Sequence, residues 1–172
     1  TQGVGILTKS RAIELGCTGV IGRAAGIPYD VRKDNPYMVY GELDFEVPVG
    51  QDGDNWDRFM CRFEEVQQSL RILEQCLDKL PDSGPVSVSD PRITLPPKSE
   101  VYNTIEGTIA HFKLIMEGVK PEKGEVYSFT EAGNGELGFF IVSDGSGTPY
   151  RVRVRPPCWF NLQAVREMVM GD

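Results

Sequence analysis

The sequence predicts an α+β, mainly helical fold from three observations. Apolar residues recur at heptad spacing from Trp56 to Leu80, a second helical run extends from Val101 to Met116, and the period changes from helical to twofold after Glu125. The expected architecture is a long scaffold helix and a second helix, accompanied by a small three-stranded antiparallel sheet. With 172 residues, 40% of them apolar, residues 1–172 are expected to form a single partial domain, a lobe of something larger.

Taken in order, Ser10 to Leu15 has the pattern of a short helix. Gly16, Gly19, Gly22 and Gly26 then punctuate a loop leading to Tyr29–Tyr37, a stretch too polar and broken for a core strand. From Glu42 to Val49, Leu43, Phe45 and Val47 alternate with acids, which predicts a half-buried extended segment. Asp54 is a good helix cap and Asp57 adds an acid to the first turn. The seam that follows is Trp56, Phe59, Phe63, Val66, Leu70, Leu73, Leu77 and Leu80, and Pro81 stops it. A helix of about 27 residues would run roughly 40 Å, a scaffold length that calls for helical neighbours. A homodimeric coiled coil is the weaker alternative, because Trp56, Phe59 and Phe63 crowd one end of the seam.

Residues 81–98 are a proline-rich internal connection, with Pro81, Pro85, Pro91, Pro96 and Pro97. A second helix is expected from Ser99 to Gly118, with Val101, Ile105, Ile109, Phe112 and Met116 on one side. Strands follow at Glu125–Glu131, Glu136–Ser143 and Tyr150–Arg155, joined by glycine-rich turns, and a closing helix at Phe160–Met168.

The net charge of −7 is unevenly spread. Tyr40 to Asp90 holds 12 acids and 4 bases, so the remainder is nearly neutral and a broad nucleic-acid face is not expected. No apolar run approaches the roughly 20 residues of a membrane-spanning helix. Cys17, Cys61, Cys76 and Cys158 lie far apart without a C-x-x-C pair, and are expected to be reduced, structural thiols. His111 is the only histidine and has no zinc-ligand spacing around it, so a structural or surface role is expected. Gly133-x-Gly135-x-x-Gly138 has the letters of a dinucleotide fingerprint, but it joins two strands and opens no helix. These readings leave no catalytic, cofactor-binding or metal residue.

Two charged groups are candidates for contact with other chains. Arg151, Arg153 and Arg155 line one face of the last strand, opposite Tyr150, Val152 and Val154. A solvated sheet face is one explanation, and contact with an acidic surface or lipid phosphate is the other. Arg32, Lys33 and Asp34 form a second candidate, a polar interface knot.

The ordered series of segments resembles a known family. Tyr29-Asp-Val-Arg-Lys-Asp-Asn-Pro-Tyr37, Phe45-Glu-Val-Pro-Val-Gly50 and Gly53-Asp54 with Asp57-Arg58 are followed by Pro91-Arg92-Ile93 and His111-Phe112-Lys113. Gly124-Glu-Val-Tyr127, Gly135-Glu-Leu-Gly138, Val142-Ser-Asp-Gly145 and Pro149-Tyr-Arg-Val152 complete the series. It is similar to the C-terminal part of the D or 49 kDa subunit of NADH-quinone oxidoreductase, respiratory complex I. That resemblance implies a fragment related in fold to the nickel-iron hydrogenase large subunit. It also implies a parent complex that is an NADH:quinone oxidoreductase and translocase, peripheral to the cytoplasmic face of the inner membrane or the mitochondrial matrix side. The partners implied are other subunits, especially an iron-sulfur small subunit, with quinone reduced at the shared interface. The family's quinone-contacting histidine and tyrosine lie in its N-terminal half, so no quinone ligand is carried over to any residue here. Neither cofactor nor turnover is expected of this chain alone.

The chain begins at Thr1 and ends at Met170-Gly171-Asp172 where the family continues, and the expectation is truncation at both ends. Two other functions are consistent with parts of the pattern: a fragment of a group 4 type nickel-iron hydrogenase large subunit, and a non-catalytic interaction module that binds through the long helix and the arginine face. The Gly118–Tyr150 series looks closer to the quinone family.

Overall fold

The computed structural model describes residues 1–170, so Gly171 and Asp172, where the expected C-terminal truncation falls, lie outside the described residues. The elements are α1 (Lys9–Glu14), α2 (Val20–Ala24), α3 (Val31–Asp34), a 3-10 turn (Tyr40–Glu42), α4 (Asn55–Lys79), α5 (Lys98–Asn103), α6 (Ile105–Met116), β1 (Gly124–Ala132), β2 (Gly135–Ser143), β3 (Arg151–Arg155), α7 (Pro157–Leu162) and α8 (Val165–Val169). The fold class is α+β, with one antiparallel sheet in the order β1-β2-β3. The chain divides into two compact units. The first is Thr1–Leu80, Ser128–Phe139 and Val154–Asp172; the second is Pro81–Tyr127 and Phe140–Arg153.

The first unit is organised on α4. Asp54 caps the helix, its Oδ1 accepting from the Asp57 amide at 2.8 Å while its Oδ2 accepts from Gly3 N at 2.7 Å. Asp57 in turn holds the preceding loop, its Oδ2 accepting from the amides of Gln51, Asp52 and Gly53. The helix ends at Lys79, one residue before the extended Leu80 that precedes Pro81. Its inward face is the mixed one: Cys61 packs with Val20 and Ala24 of α2, and Arg58 is buried against the carbonyls of Gly5 and Gly53.

Alongside α4 runs the extended segment after the 3-10 turn, with Leu43 and Phe45 buried as the alternation predicts. It joins no sheet. Gln75 bonds both the amide and the carbonyl of Asp44, Gln68 accepts from Glu46 N, and Lys79 donates to Glu42 O. Side chains spaced one or two turns apart on a helix replace the strand partner that would otherwise satisfy this backbone. A second small cluster, Leu7, Ala12, Cys17, Ala25 and Ala164, closes the unit.

The heptad seam of α4 lies on the opposite face and is uncovered. Phe63 is 58% exposed, Leu70 55% and Leu77 70%. The period of the seam is helical as read, but its apolar side chains contribute little to this chain's own core.

In several places the elements are finer than the sequence reading, beginning with α3 inside the polar Tyr29–Tyr37 stretch. The glycine-punctuated stretch contains α2, because Gly19 starts it at φ +67° and Arg23 finds buried partners. The expected single helix from Ser99 is broken at Thr104 (φ −131°, ψ 145°) into α5 and α6. The Thr104 hydroxyl accepts from Gly107 N and donates to Glu100 O, a capping arrangement that ends one helix and starts the next. The closing helix is likewise two short pieces, α7 and α8. The second unit packs α5 on α6 through Gly107, where an added Cβ would lie 2.5 Å from Glu100 O.

Candidate subunit interface

Asp30 places the α3 knot. Its Oδ1 caps α3 by accepting from Arg32 N at 2.9 Å, and the Arg32 guanidinium grips the same carboxylate in a fork, Nε to Oδ1 at 3.0 Å and Nη2 to Oδ2 at 2.6 Å. Burial raises the Asp30 carboxyl, but Arg32 more than offsets this and holds it below its ordinary value. Arg32 also lies 5.0 Å from the Phe45 ring centre, and Lys33 Nζ lies 4.2 Å from it. Asp34 accepts from Asp30 N at 2.9 Å. Of the interface knot, Arg32 is half-buried on Asp30, while Lys33 and Asp34 are exposed, Lys33 over the Phe45 ring and Asp34 on the Asp30 amide.

The arginines of β3 divide in the same way. Arg155 Nη1 donates to Glu136 O at 2.7 Å, Nη2 donates to Gly16 O at 3.0 Å, and the guanidinium stacks 4.9 Å over Phe160. It ties β2 and β3 to the loop before α2. Arg151 and Arg153 are exposed on the edge strand, and Val152 and Val154 opposite them are about half exposed as well. Asn161 completes the tie, donating to Thr18 O at 3.2 Å and Asn134 O at 3.0 Å while accepting from Thr18 N. Sequence reading assigned Asn161 no role, since one asparagine in a short helix carries no periodic signal.

Also missed was Arg23, whose side chain is 3% exposed. Glu65 Oε1 accepts from its Nε and Nη2 at 2.7 Å, Glu131 Oε1 accepts from Nη1 at 2.9 Å, and Asp30 Oδ2 lies 3.7 Å from Nη1. Burial raises the Glu131 carboxyl above its ordinary range, against the pull of Arg23. Tyr29 bridges onward, its hydroxyl donating to Glu136 Oε2 at 2.7 Å, and burial followed by that carboxylate raises the phenol. The available signal was compositional: a lone arginine among Gly22, Ala24 and Ala25 has small neighbours that allow burial.

Among the described residues no group of three His, Cys, Asp or Glu side chains could hold a metal, and no helix is long and apolar enough to cross a membrane. His111 is half-buried on α6. The Gly133–Gly138 motif is the turn and start of β2, where Gly135 (φ +125°) packs against Gly19. In the second unit, a recess of about 650 Å³ between the proline-rich stretch and α5–α6 is lined by Val88, Pro91, Leu95 and Gly107, and its Asp90 is held by Arg92.

The site is thus a set of charged ties between a long helix, short helices and a three-stranded ribbon. All 172 residues match the family described as respiratory-chain NADH dehydrogenase, 49 Kd subunit, and the chain belongs to that family. It is 62% identical over 170 residues to the first of the D subunits of NADH-quinone oxidoreductase from Sorangium cellulosum, a match that covers 99% of this chain and 42% of that relative. The corresponding D subunit from Myxococcus xanthus is 54% identical over 171 residues, with 99% and 41% covered. That from Leptospira biflexa is 51% identical over 171 residues, with 99% and 42% covered. The chain thus spans about two fifths of the length of the curated relatives it matches.

Proposed function

We propose that this chain is part of the quinone-side subunit of an NADH-quinone oxidoreductase and scaffolds electron transfer from NADH, through an iron-sulfur cluster in a neighbouring subunit, to quinone. The observation that carries this reading is the uncovered seam of α4 in a chain whose relatives are more than twice as long. Apolar side chains repeated over the whole length of a capped helix stabilise nothing while wet, and become stabilising once a neighbouring helix covers them. The remainder of the subunit supplies that cover, in a core like that of the hydrogenase large subunit. Its partners are the other subunits of the complex, the iron-sulfur small subunit first among them, at the cytoplasmic or matrix face of the membrane.

Within this scheme Arg151 and Arg153 are the charges left to meet an acidic partner surface, because they are solvent-exposed. Arg32, Lys33, Asp34 and Arg155 contribute an interface of fixed shape, braced by Asp30, Phe45 and Glu136. The test is assembly. With Phe63→Asp and Leu70→Asp together in the complete subunit, membranes should lose at least tenfold in NADH-driven quinone reduction, with the subunit absent from the purified complex. Normal incorporation of the double variant would contradict the reading.

A further inference from the structure

The Arg23 cluster has more negative than positive charge. Arg23 and Arg32 supply two guanidiniums, and Asp30, Glu65 and Glu131 supply three carboxylates. The side chains of Arg23, Asp30 and Glu131 are 3%, 1% and 5% exposed, so water cannot dilute the surplus. The other titratable groups around Glu131 do not balance it. Tyr29 and Tyr37 are phenols, the latter accepting from Glu131 N, while Glu136 of β2 is paired with Arg155 of β3 and Asp34 adds a further acid beside Asp30. Lys33, the remaining cation of α3, is exposed over Phe45.

Asp30 cannot easily take the compensating proton, since Arg32 grips both its oxygens. Glu65 is 19% exposed and can share its charge with water. Glu131 is the remaining group, accepting one bond from Arg23 and a longer one, 3.2 Å, from Val31 N. We propose that the cluster is a proton-binding site in which Glu131 takes up one exchangeable proton from water, so that the clasp joining α2, α3, α4 and β1 tightens on protonation and loosens on its release. Burial acts on Glu131 in the same direction, favouring its neutral form.

The sign follows. An acid whose folded value is raised stabilises the fold fully below its ordinary value, and that stability is lost as pH rises through the folded value. Urea denaturation of the 172-residue chain between pH 4 and 8 should therefore show wild-type stability falling across the Glu131 titration, while Glu131→Gln is flat over the same interval. In parallel, carboxyl-carbon NMR of glutamate-labelled chain should place the Glu131 midpoint above the ordinary glutamate value of about 4.3. Glu65→Gln, which brings the cluster to neutrality, should move that midpoint down. A midpoint at or below the ordinary value, or one unmoved by Glu65→Gln, would overturn the proposal, as would equal pH slopes for wild type and Glu131→Gln.

Discussion

Arg23 fixes three segments to α2 with one side chain, through Tyr29 O and its approach to Asp30, through Glu65 of α4 and through Glu131 of β1. Removing one member of a buried ionic group leaves the others charged and unpaired, which costs about 3–5 kcal/mol. Arg23→Leu should therefore lose stability of that order, read as a shift in the urea midpoint. Asp54 gives a pH prediction of opposite sign to Glu131. The amides of Asp57 and then Gly3 hold its carboxyl below the ordinary value, so its contribution is present above about pH 4 and is lost as pH falls through the folded value. Asn caps as well as Asp but does not titrate. Asp54→Asn should flatten the acid limb of the stability profile, and an unchanged limb would rule out this role for Asp54. The two residues differ in legibility. Asp54 was readable because a cap precedes a periodic run, whereas the partners of Arg23 lie 42 and 108 positions away and no local pattern encodes them.

Among the elements, α4 and the three strands were legible because heptad spacing in α4, alternation in β3 and the apolar run Phe139–Val142 in β2 are bounded by proline or glycine, as β1 is by Gly124 and Gly133. Of the short helices, α1 was legible as Ser10–Leu15, whereas α2, α3 and the division of α5 from α6 were not. Thr104 splits α5 from α6 by turning its hydroxyl onto Glu100 O and Gly107 N, a local competition that a window of apolar spacing averages away. α2 depends on contacts distant in sequence. An added Cβ on Gly19 would lie 2.5 Å from Asn134 O and from Gly135 Cα, at a φ of +67°. Such a backbone position costs a substituted residue of order 1–3 kcal/mol before the clash is counted. Gly19→Ala should accordingly lower the melting temperature of the chain by several degrees and expose the amides of the β1–β2 turn to faster hydrogen exchange.

At the scale of the whole molecule, the chain makes one face of α4 carry the internal contacts and leaves the heptad seam to solvent. The sequence reading anticipated a helix that leans on neighbours; it did not show which face this chain would keep for itself. That choice is made by Arg58, Cys61, Glu65, Gln68 and Gln75, polar or small side chains that satisfy the backbone and guanidinium groups packed against them. The six candidate interface residues also look different once placed, with Arg151 and Arg153 exposed and Arg32, Asp34 and Arg155 used as internal braces.

The proposed function requires the seam to be covered in the assembled complex, and maleimide labelling of Leu70→Cys reads that cover at its midpoint. With the unsubstituted chain as the control for native thiols, labelling at position 70 should be rapid in the 172-residue chain and strongly slowed in the assembled complex. Equal labelling rates in the two states would contradict it.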